Sequence, residues 1–399
     1  MIKNYLKTSL RNLLRHKGYS FINILGLTVG IATSIFILLW ITDELSFDRF
    51  HANSDRIFSV MINNTYPDGR IETYPATPAQ LKSAIEREIP EVELAAQYSY
   101  ETELLIKHEN ISYNETGIYS DPALFNIFSF PIKAGSITKP LTDTKSIAIS
   151  QSLAEKLFQR ENPIGKSLSI GQTHELTITS VFVDVPNNST LQFDFVIPFE
   201  LFLAENPWTQ NWGSGGLRTV VMLNSNSDEA NHKLLNLIKK NCPDCTTSPF
   251  LFPYHKSRLY SEFENGINTG GRIQQVVLFG TVAILILIMA CINFMNLSTA
   301  RSASRSREVG IRKSIGAQKK GLIIQFISES MLLSFIALLF ALVIVQLLLP
   351  LFNDVTGKLI HLDFTDPILI SGTLTITFIC GLLAGSYPSF VLEIGRAHV

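Results

Sequence analysis

Charge is scarce in this chain. Only 17% of its 399 residues are Asp, Glu, Lys or Arg, against roughly 25% in ordinary soluble domains, while 46% are hydrophobic. Such a composition places part of the chain in lipid. Cysteine is scarce too: four in this length exclude a disulfide scaffold, and Cys291 and Cys380 fall in apolar runs where a thiol behaves as a small hydrophobe. An excess of either charge is also missing. The formal net charge of -1 averages basic segments with a near-neutral remainder and implies no nucleic-acid partner. A phosphate-binding loop is lacking as well. Pro163-Ile164-Gly165-Lys166-Ser167 contains its Gly-Lys-Ser, but Arg160 stands where the loop needs a glycine to turn around phosphate, so a turn before a strand accounts for the segment. The sequence therefore predicts no ATPase, no cofactor and no catalytic residue of its own. His232 and His255 beside Cys242 and Cys245 make no convincing zinc set, so no metal is expected.

What is present is apolar length. Residues 19–41, 275–298, 322–350 and 367–392 each reach the roughly 20 residues that a helix needs to cross about 30 Å of hydrocarbon. In the second, Val276, Val277, Leu278, Phe279, Val282 and Ile284 to Ile288 favour insertion by roughly 3–6 kcal/mol. The first run is too long for a signal-peptide core and is followed by Asp43-Glu44 rather than small residues. Orientation follows from Lys3, Lys7, Arg11, Arg15 and Lys17 before the first span, and from Arg301, Arg305, Arg307, Arg312, Lys313, Lys319 and Lys320 between the second and third. Both ends and this basic loop (299–321) are cytoplasmic on that reading. The acidic loop 351–366 and the long segment 42–274 then lie outside.

The outer segment mixes periods. Residues 168–170 and 176–183 alternate about a turn at Gly171, as in a hairpin, whereas Thr77-Pro78 before Leu81, Ile85 and Ile89 reads as a helix start. The fold class predicted is a membrane protein of four transmembrane helices with a large α+β extracytoplasmic domain between the first and second. At the amino terminus, residues 1–18 set Ile2, Leu6, Leu10 and Leu13 on one helical face and Lys3, Lys7, Arg11 and Arg15 on another, the pattern of a helix lying on anionic lipid. Gly26, Gly30 and Ser34 form a small-residue stripe that lets another helix approach. Cys242 and Cys245 read as a small local disulfide in an oxidising compartment, with unpaired thiols or a redox or metal pair as alternatives.

The basic loop carries more order than topology requires. Glu308 precedes Arg312 by four, Val309, Ile311 and Ile315 add apolar bulk beside Arg307, Gly310 and Lys313, and Gly316 suits a helix end. A short amphipathic helix of this kind suits docking on a partner protein. Arg307 to Ala317 resembles the Arg-Glu-Ile-Gly-Ile-Arg-Lys-Ala-Leu-Gly-Ala segment of MacB/FtsX-like permeases of ABC transporters, departing at Val309, Ser314 and Ile315. Asp121 to Phe130, Ile149 to Phe158 and Asn162 to Lys166 resemble that family's periplasmic core domain, and Asn12 to Lys17 fits its opening.

The resemblance implies mechanotransmission. A separate cytoplasmic ATPase binds ATP and dimerises, and the permease relays the motion to its periplasmic domain through the loop. Implied with it are an inner-membrane location, lipid contact, a dimer or pseudo-dimer of permease halves, and a periplasmic adaptor or acceptor. Lipoprotein, peptide or antimicrobial is the implied cargo. The end, Glu393 to Val399, departs from the family's cytoplasmic tail and reads as an artefactual terminus on a truncated reading frame. The alternative function is a membrane-anchored sensor whose outer domain binds a ligand. A reporter active only outside the cytoplasm is expected to work when fused near Ser225 and to fail near Ser304; the reverse pattern overturns the four-span topology.

Overall fold

The computed structural model describes residues 11, 17–171, 174–224, 227–314 and 319–394, and for 300–314, 319–322, 325 and 387–394 the backbone alone. The chain divides into a helical unit, Met1–Glu44 with Gln275–Val399, and an α+β unit, Leu45–Gln274. The helical unit opens with α1 (Lys17–Ser46).

In the α+β unit twelve strands join in one sheet. They are β1 (Ile57–Thr65), β2 (Ile71–Tyr74), β3 (Val92–Tyr98), β4 (Thr102–His108), β5 (Ile111–Ser120), β6 (Ile132–Gly135), β7 (Ser146–Ser150), β8 (Ser167–Ile170), β9 (His174–Phe182), β10 (Phe195–Pro198), β11 (Arg218–Leu223) and β12 (Thr247–Pro253). A separate hairpin, β13 (Glu262–Glu264) and β14 (Ile267–Gly270), follows. Between strands lie α2 (Gln80–Glu88), α3 (Leu124–Ile127), α4 (Gln151–Phe158), α5 (Phe199–Glu205) and α6 (Ser227–Asn241).

The sheet has two wings. Strand β10 runs parallel to β5 and antiparallel to β7, so the path β5-β4-β8-β9-β7-β10 returns to β5 as a ring. Its hairpin β8–β9 sets Leu168 opposite Leu176 across the Gly171 turn, where φ is +61° and glycine meets no steric penalty. Ile147, Ile149, Ile170, Ile178 and Phe195 fill the ring together with Leu153 and Leu157 of α4. The Ser150 hydroxyl caps that helix by accepting the Leu153 N–H at 3.1 Å, a cap that contributes about 1 kcal/mol.

The other wing is the antiparallel run β3-β11-β1-β12, with β2 on the edge of β1. Here α2 offers Leu81, Ala84 and Ile85, and α6 offers Ala230, Leu234, Leu237 and Ile238, spacings that put each set on one face against Val60, Ile62 and Val221. Helix α2 starts later than Thr77-Pro78 suggests. Thr77 bridges Leu217 instead and its Oγ1 lies 2.6 Å from that of Thr219, so Pro78 stands before the helix rather than in its first turn.

Between β3 and β5 one residue pair, Tyr98 opposite Ser120, is in register. Backbone bonds flank it, from Ser99 N–H to Tyr119 O at 2.9 Å and from Asp121 N–H to Gln97 O at 3.0 Å, and side chains reinforce this short join. The reinforcement is aromatic: Tyr98, Phe125, Phe128, Phe130, Phe182 and Phe193 share one core with Tyr254. His51 lies in it, buried, its ring 5.0 Å from Phe128 and 5.4 Å from Phe130.

The helical unit continues with α7 (Arg272–Ser314), α8 (Lys319–Thr356) and α9 (Pro367–Ile394). Among the described residues four stretches are long and apolar enough to cross a membrane: Lys17–Ser46, Arg272–Thr299, Phe326–Thr356 and Pro367–Ser386. Leu27, Ile31, Ile35, Phe294, Leu333, Ala337 and Ala341 pack at their centre, while Phe21, Val29, Leu278, Ile284, Leu339 and Leu347 remain exposed on the outside. Helices apolar on every side suit lipid rather than water as the outer solvent.

Burial lowers His51 from its ordinary 6.5 to about 4, so the folded chain holds the ring neutral. Between those two values the unfolded chain takes up a proton that the folded one refuses. Stability therefore falls as pH drops from 6.5 towards 4, by up to about 3 kcal/mol from this group. Urea unfolding of the full chain in detergent at pH 7 and pH 4.5 is expected to show a shallower loss for His51→Phe than for the parent, and equal losses would refute the assignment.

Candidate functional site

The segment singled out for docking is not a separate helix. Helix α7 runs unbroken for 43 residues, from Arg272 at the end of the α+β unit through the apolar stretch that ends at Thr299 and on to Ser314. The sequence places a boundary at 298–299 because hydrophobicity ends there, but nothing there breaks a helix. No proline occurs in α7, Thr299 Oγ1 bonds back to Met295 O at 2.8 Å, and Gly310 costs only about 1 kcal/mol in a helix interior. Residues 300–314 thus extend about 22 Å beyond the apolar stretch. Arg307, Glu308, Val309, Gly310, Ile311, Arg312 and Lys313 lie on its final turns, whereas Ile315 and Gly316 fall outside the described residues. So does the surface helix expected over 1–18, apart from Arg11, Lys17 and Gly18, and so do residues 395–399 of the tail. Glu393 and Ile394 end α9.

The small-residue stripe on α1 faces α7 through its glycines. A Cβ on Gly30 would stand 2.7 Å from the Ala290 Cβ, and one on Gly26 would stand 3.0 Å from Asn293 Nδ2. Any side chain at Gly30 would force the two helices apart. Ser34 is buried but acts within its own helix, its Oγ donating to Gly30 O at 2.8 Å.

An ion cluster escaped the sequence reading. Lys358, in the turn after α8, places Nζ 2.8 Å from Glu44 Oε1, pairs also with Asp43, and lies 5.5 Å from the centre of the Trp40 ring. Its side chain is 9% exposed and that of Glu44 is 0% exposed, so the pair is desolvated and each charge depends on the other. The sequence does hold a signal: Lys358 is the one base among Asp354, Asp363 and Asp366, and Asp43-Glu44 follows the first apolar run. Read for topology alone, those acids and that base look like unrelated flanks.

Cys242 and Cys245 form a disulfide with Cα atoms 5.3 Å apart. It closes the turn between α6 and β12, where the Cys242 N–H also donates to Ile238 O at 2.8 Å. Around the Gly-Lys-Ser segment, Gly165 turns at φ +83°, Lys166 pairs with Glu161 and covers the Phe158 ring at 4.9 Å, and Ser167 begins β8. These contacts bind the lysine into the fold. Among the described residues no three His, Cys, Asp or Glu side chains gather as metal ligands.

Comparison with known proteins adds two family matches. Residues 20–235 match the MacB-like periplasmic core domain, and residues 280–392 match the FtsX-like permease C-terminal domain. A macrolide export ATP-binding/permease protein, MacB, of Neisseria meningitidis is 21% identical over 357 residues, 82% of this chain and 50% of the relative. An uncharacterised ABC transporter permease of Bacillus subtilis, YvrN, is 21% identical over 409 residues, 96% of each chain. The chain thus spans about half the length of the MacB relatives and nearly all of YvrN. The crystal structure of the periplasmic region of MacB from Actinobacillus actinomycetemcomitans overlaps 50% of this chain and 89% of its own, with a TM-score of 0.39 and 15% identity.

Removing Lys358 takes a close counter-charge from the fully buried Glu44 carboxylate. Lys358→Met is expected to destabilise the chain by about 3–5 kcal/mol, and adding Glu44→Gln should recover part of that loss. Thermal unfolding in detergent would read both. A single variant as stable as the parent would show that the cluster contributes little.

Proposed function

Since the chain belongs to the MacB/FtsX-like permeases of ABC transporters, we propose that it relays the ATP-driven motion of a separate cytoplasmic ATPase to its own α+β domain. The observation that carries this reading is the continuity of α7. One helix leaves the α+β unit at Arg272, crosses the length of a bilayer and carries Arg307 to Lys313 on its last turns. A displacement applied to those turns passes along hydrogen-bonded backbone rather than through a loop. ATP in this scheme is held by the partner, and the permease is not itself an enzyme.

The location that goes with this function is the bacterial inner membrane, crossed four times, with the α+β domain in the periplasm. The basic residues of 299–321 then meet the ATPase and the anionic lipid surface. Partners are the ATPase, membrane lipid, a second permease half as a dimer or pseudo-dimer, and a periplasmic adaptor or acceptor. The Neisseria relatives are named for macrolide export. Export or extraction of a lipoprotein, peptide or antimicrobial is the corresponding role here.

Docking of this kind rests on a packed apolar centre with a charged rim. Arg307→Ala, at the rim, is expected to weaken binding to the ATPase by about 0–1 kcal/mol. Ile311→Asp sets a charge against an apolar groove and should cost several-fold more, and Gly310→Pro should break the helix with a similar effect. All three chains should insert normally because the spans are untouched. Co-expression with the ATPase, capture of the pair and growth dependent on transport measure the outcome. Full complex and full function for Ile311→Asp at parental expression would refute the relay.

A further inference from the structure

A cleft of about 240 Å³ opens in the α+β unit where β1, β2 and the ends of β3 and β11 meet the connection from β12 to β13. Nothing in the relay scheme uses it. Its walls are aromatic, with Tyr74, Tyr98, Phe252, Tyr254 and Phe263 among them, and of the residues that line it Arg218 alone is charged. A slot of this size suits one ring and a short chain, since a cavity on the order of 150 Å³ takes up benzene.

The polar groups in the cleft are unevenly satisfied. The Thr219 hydroxyl lies 2.6 Å from that of Thr77 and accepts from Gln97 at 3.0 Å, and the Thr190 hydroxyl bonds to Asp48. By contrast Arg218 Nε and Ser257 Oγ are buried with no hydrogen-bond partner. The guanidinium interacts with the Tyr98 phenol of the cleft wall, and outside the cleft its Cζ lies 4.8 Å from the centre of the Tyr100 ring and Nη1 4.0 Å from Glu101 Oε1, the outer limit of an ion pair. Arg218 Nε and Ser257 Oγ both lie behind the cleft surface, so a ligand oxygen meets the guanidinium where Arg218 lines the cleft, and a charge-assisted hydrogen bond made there forms in a largely desolvated place.

The walls themselves cannot provide that anion. Burial pushes the Tyr98 phenol up to about 12 and the Tyr254 phenol well above its ordinary value, so both stay protonated and present O–H groups. An incoming carboxylate supplies what is missing: two coplanar oxygens matched to a guanidinium edge.

We propose that this cleft is a binding site for a small carboxylate with an aromatic body, the carboxylate seated on Arg218 beside Ser257 and the ring against Phe252, Phe263 and Tyr74. The site makes the domain responsive to a molecule outside the cytoplasm, and it stands whether or not the ATPase relay does.

The probe is 3-phenylpropionate, with its neutral isostere 3-phenylpropanamide as control. Binding is measured by equilibrium dialysis against the full chain in lipid nanodiscs, with empty nanodiscs subtracted. Saturable binding of one acid per chain is expected, half-complete at or below about 1 mM, with the amide weaker by about tenfold or more. Arg218→Gln should weaken the acid by about tenfold while leaving the amide nearly unchanged. Ser261→Trp, at an exposed position on the lining, should block both ligands. If Arg218→Gln fails to fold, Ser261→Trp and the amide carry the test. Absence of saturable binding, equal affinity for acid and amide, or parental binding by a folded variant would each overturn the proposal.

Discussion

Hydrocarbon leaves a backbone no partner but itself, and that constraint shapes both the helical unit and the site it carries. A chain crossing lipid must close every N–H and C=O within its own helix, so interruption is costly and continuity is favoured. Helix α7 follows this rule through its apolar stretch and then continues past it into Arg- and Ser-rich sequence without a break. The same helix that solves the membrane problem is the one the proposed relay would use. Gly26 and Gly30 serve that arrangement from α1: without side chains they let the helix approach Asn293 and Ala290 closely enough for packing to replace the hydrophobic drive that lipid does not supply.

Charge obeys the same constraint from the other direction. At one end of α1 the chain places Asp43 and Glu44, and Lys358 from the turn after α8 joins them, almost fully buried. Isolated, any of these groups would be expelled towards water. Together, and capped by the Trp40 ring, they tie α1 to the turn after α8 by a contact that has geometry as well as energy. In the α+β unit the equivalent work is done by aromatic rings. Its two wings share a short backbone pairing around Tyr98 and Ser120, and the cluster around Phe128 and Tyr254 reinforces it.

Periodicity in the sequence was a good guide wherever one residue's environment depends on its near neighbours. Four apolar runs, the β8–β9 alternation and the mixed α+β character of residues 42–274 are all local properties. Membership in the permease family was legible for a related reason, since Arg307 to Ala317 is one contiguous segment. What the sequence hides is contact over distance. Lys358 and Glu44 are more than three hundred residues apart, and each alone looks like an ordinary flank. Hydropathy also marks a different boundary from the one the backbone obeys: the apolar span ends at Thr299, whereas the helix continues to Ser314.

Arg218 is the clearest case of function set by tertiary context. It begins β11, opposite Tyr98 in register, and the next residue inward, Thr219, is fully engaged with Thr77 and Gln97. That pairing holds the arginine's backbone rigidly while its side chain spans from the Tyr100 ring to a cleft lined by Phe252 and Tyr254. In sequence the residue is one more base in an extracytoplasmic segment; its meaning comes from standing as the one charged residue on a cleft whose two phenols burial keeps protonated. A strand that fixes a cation against aromatic walls is rigid before any ligand arrives, and rigidity of that kind lowers the ordering cost of binding a small, flat acid.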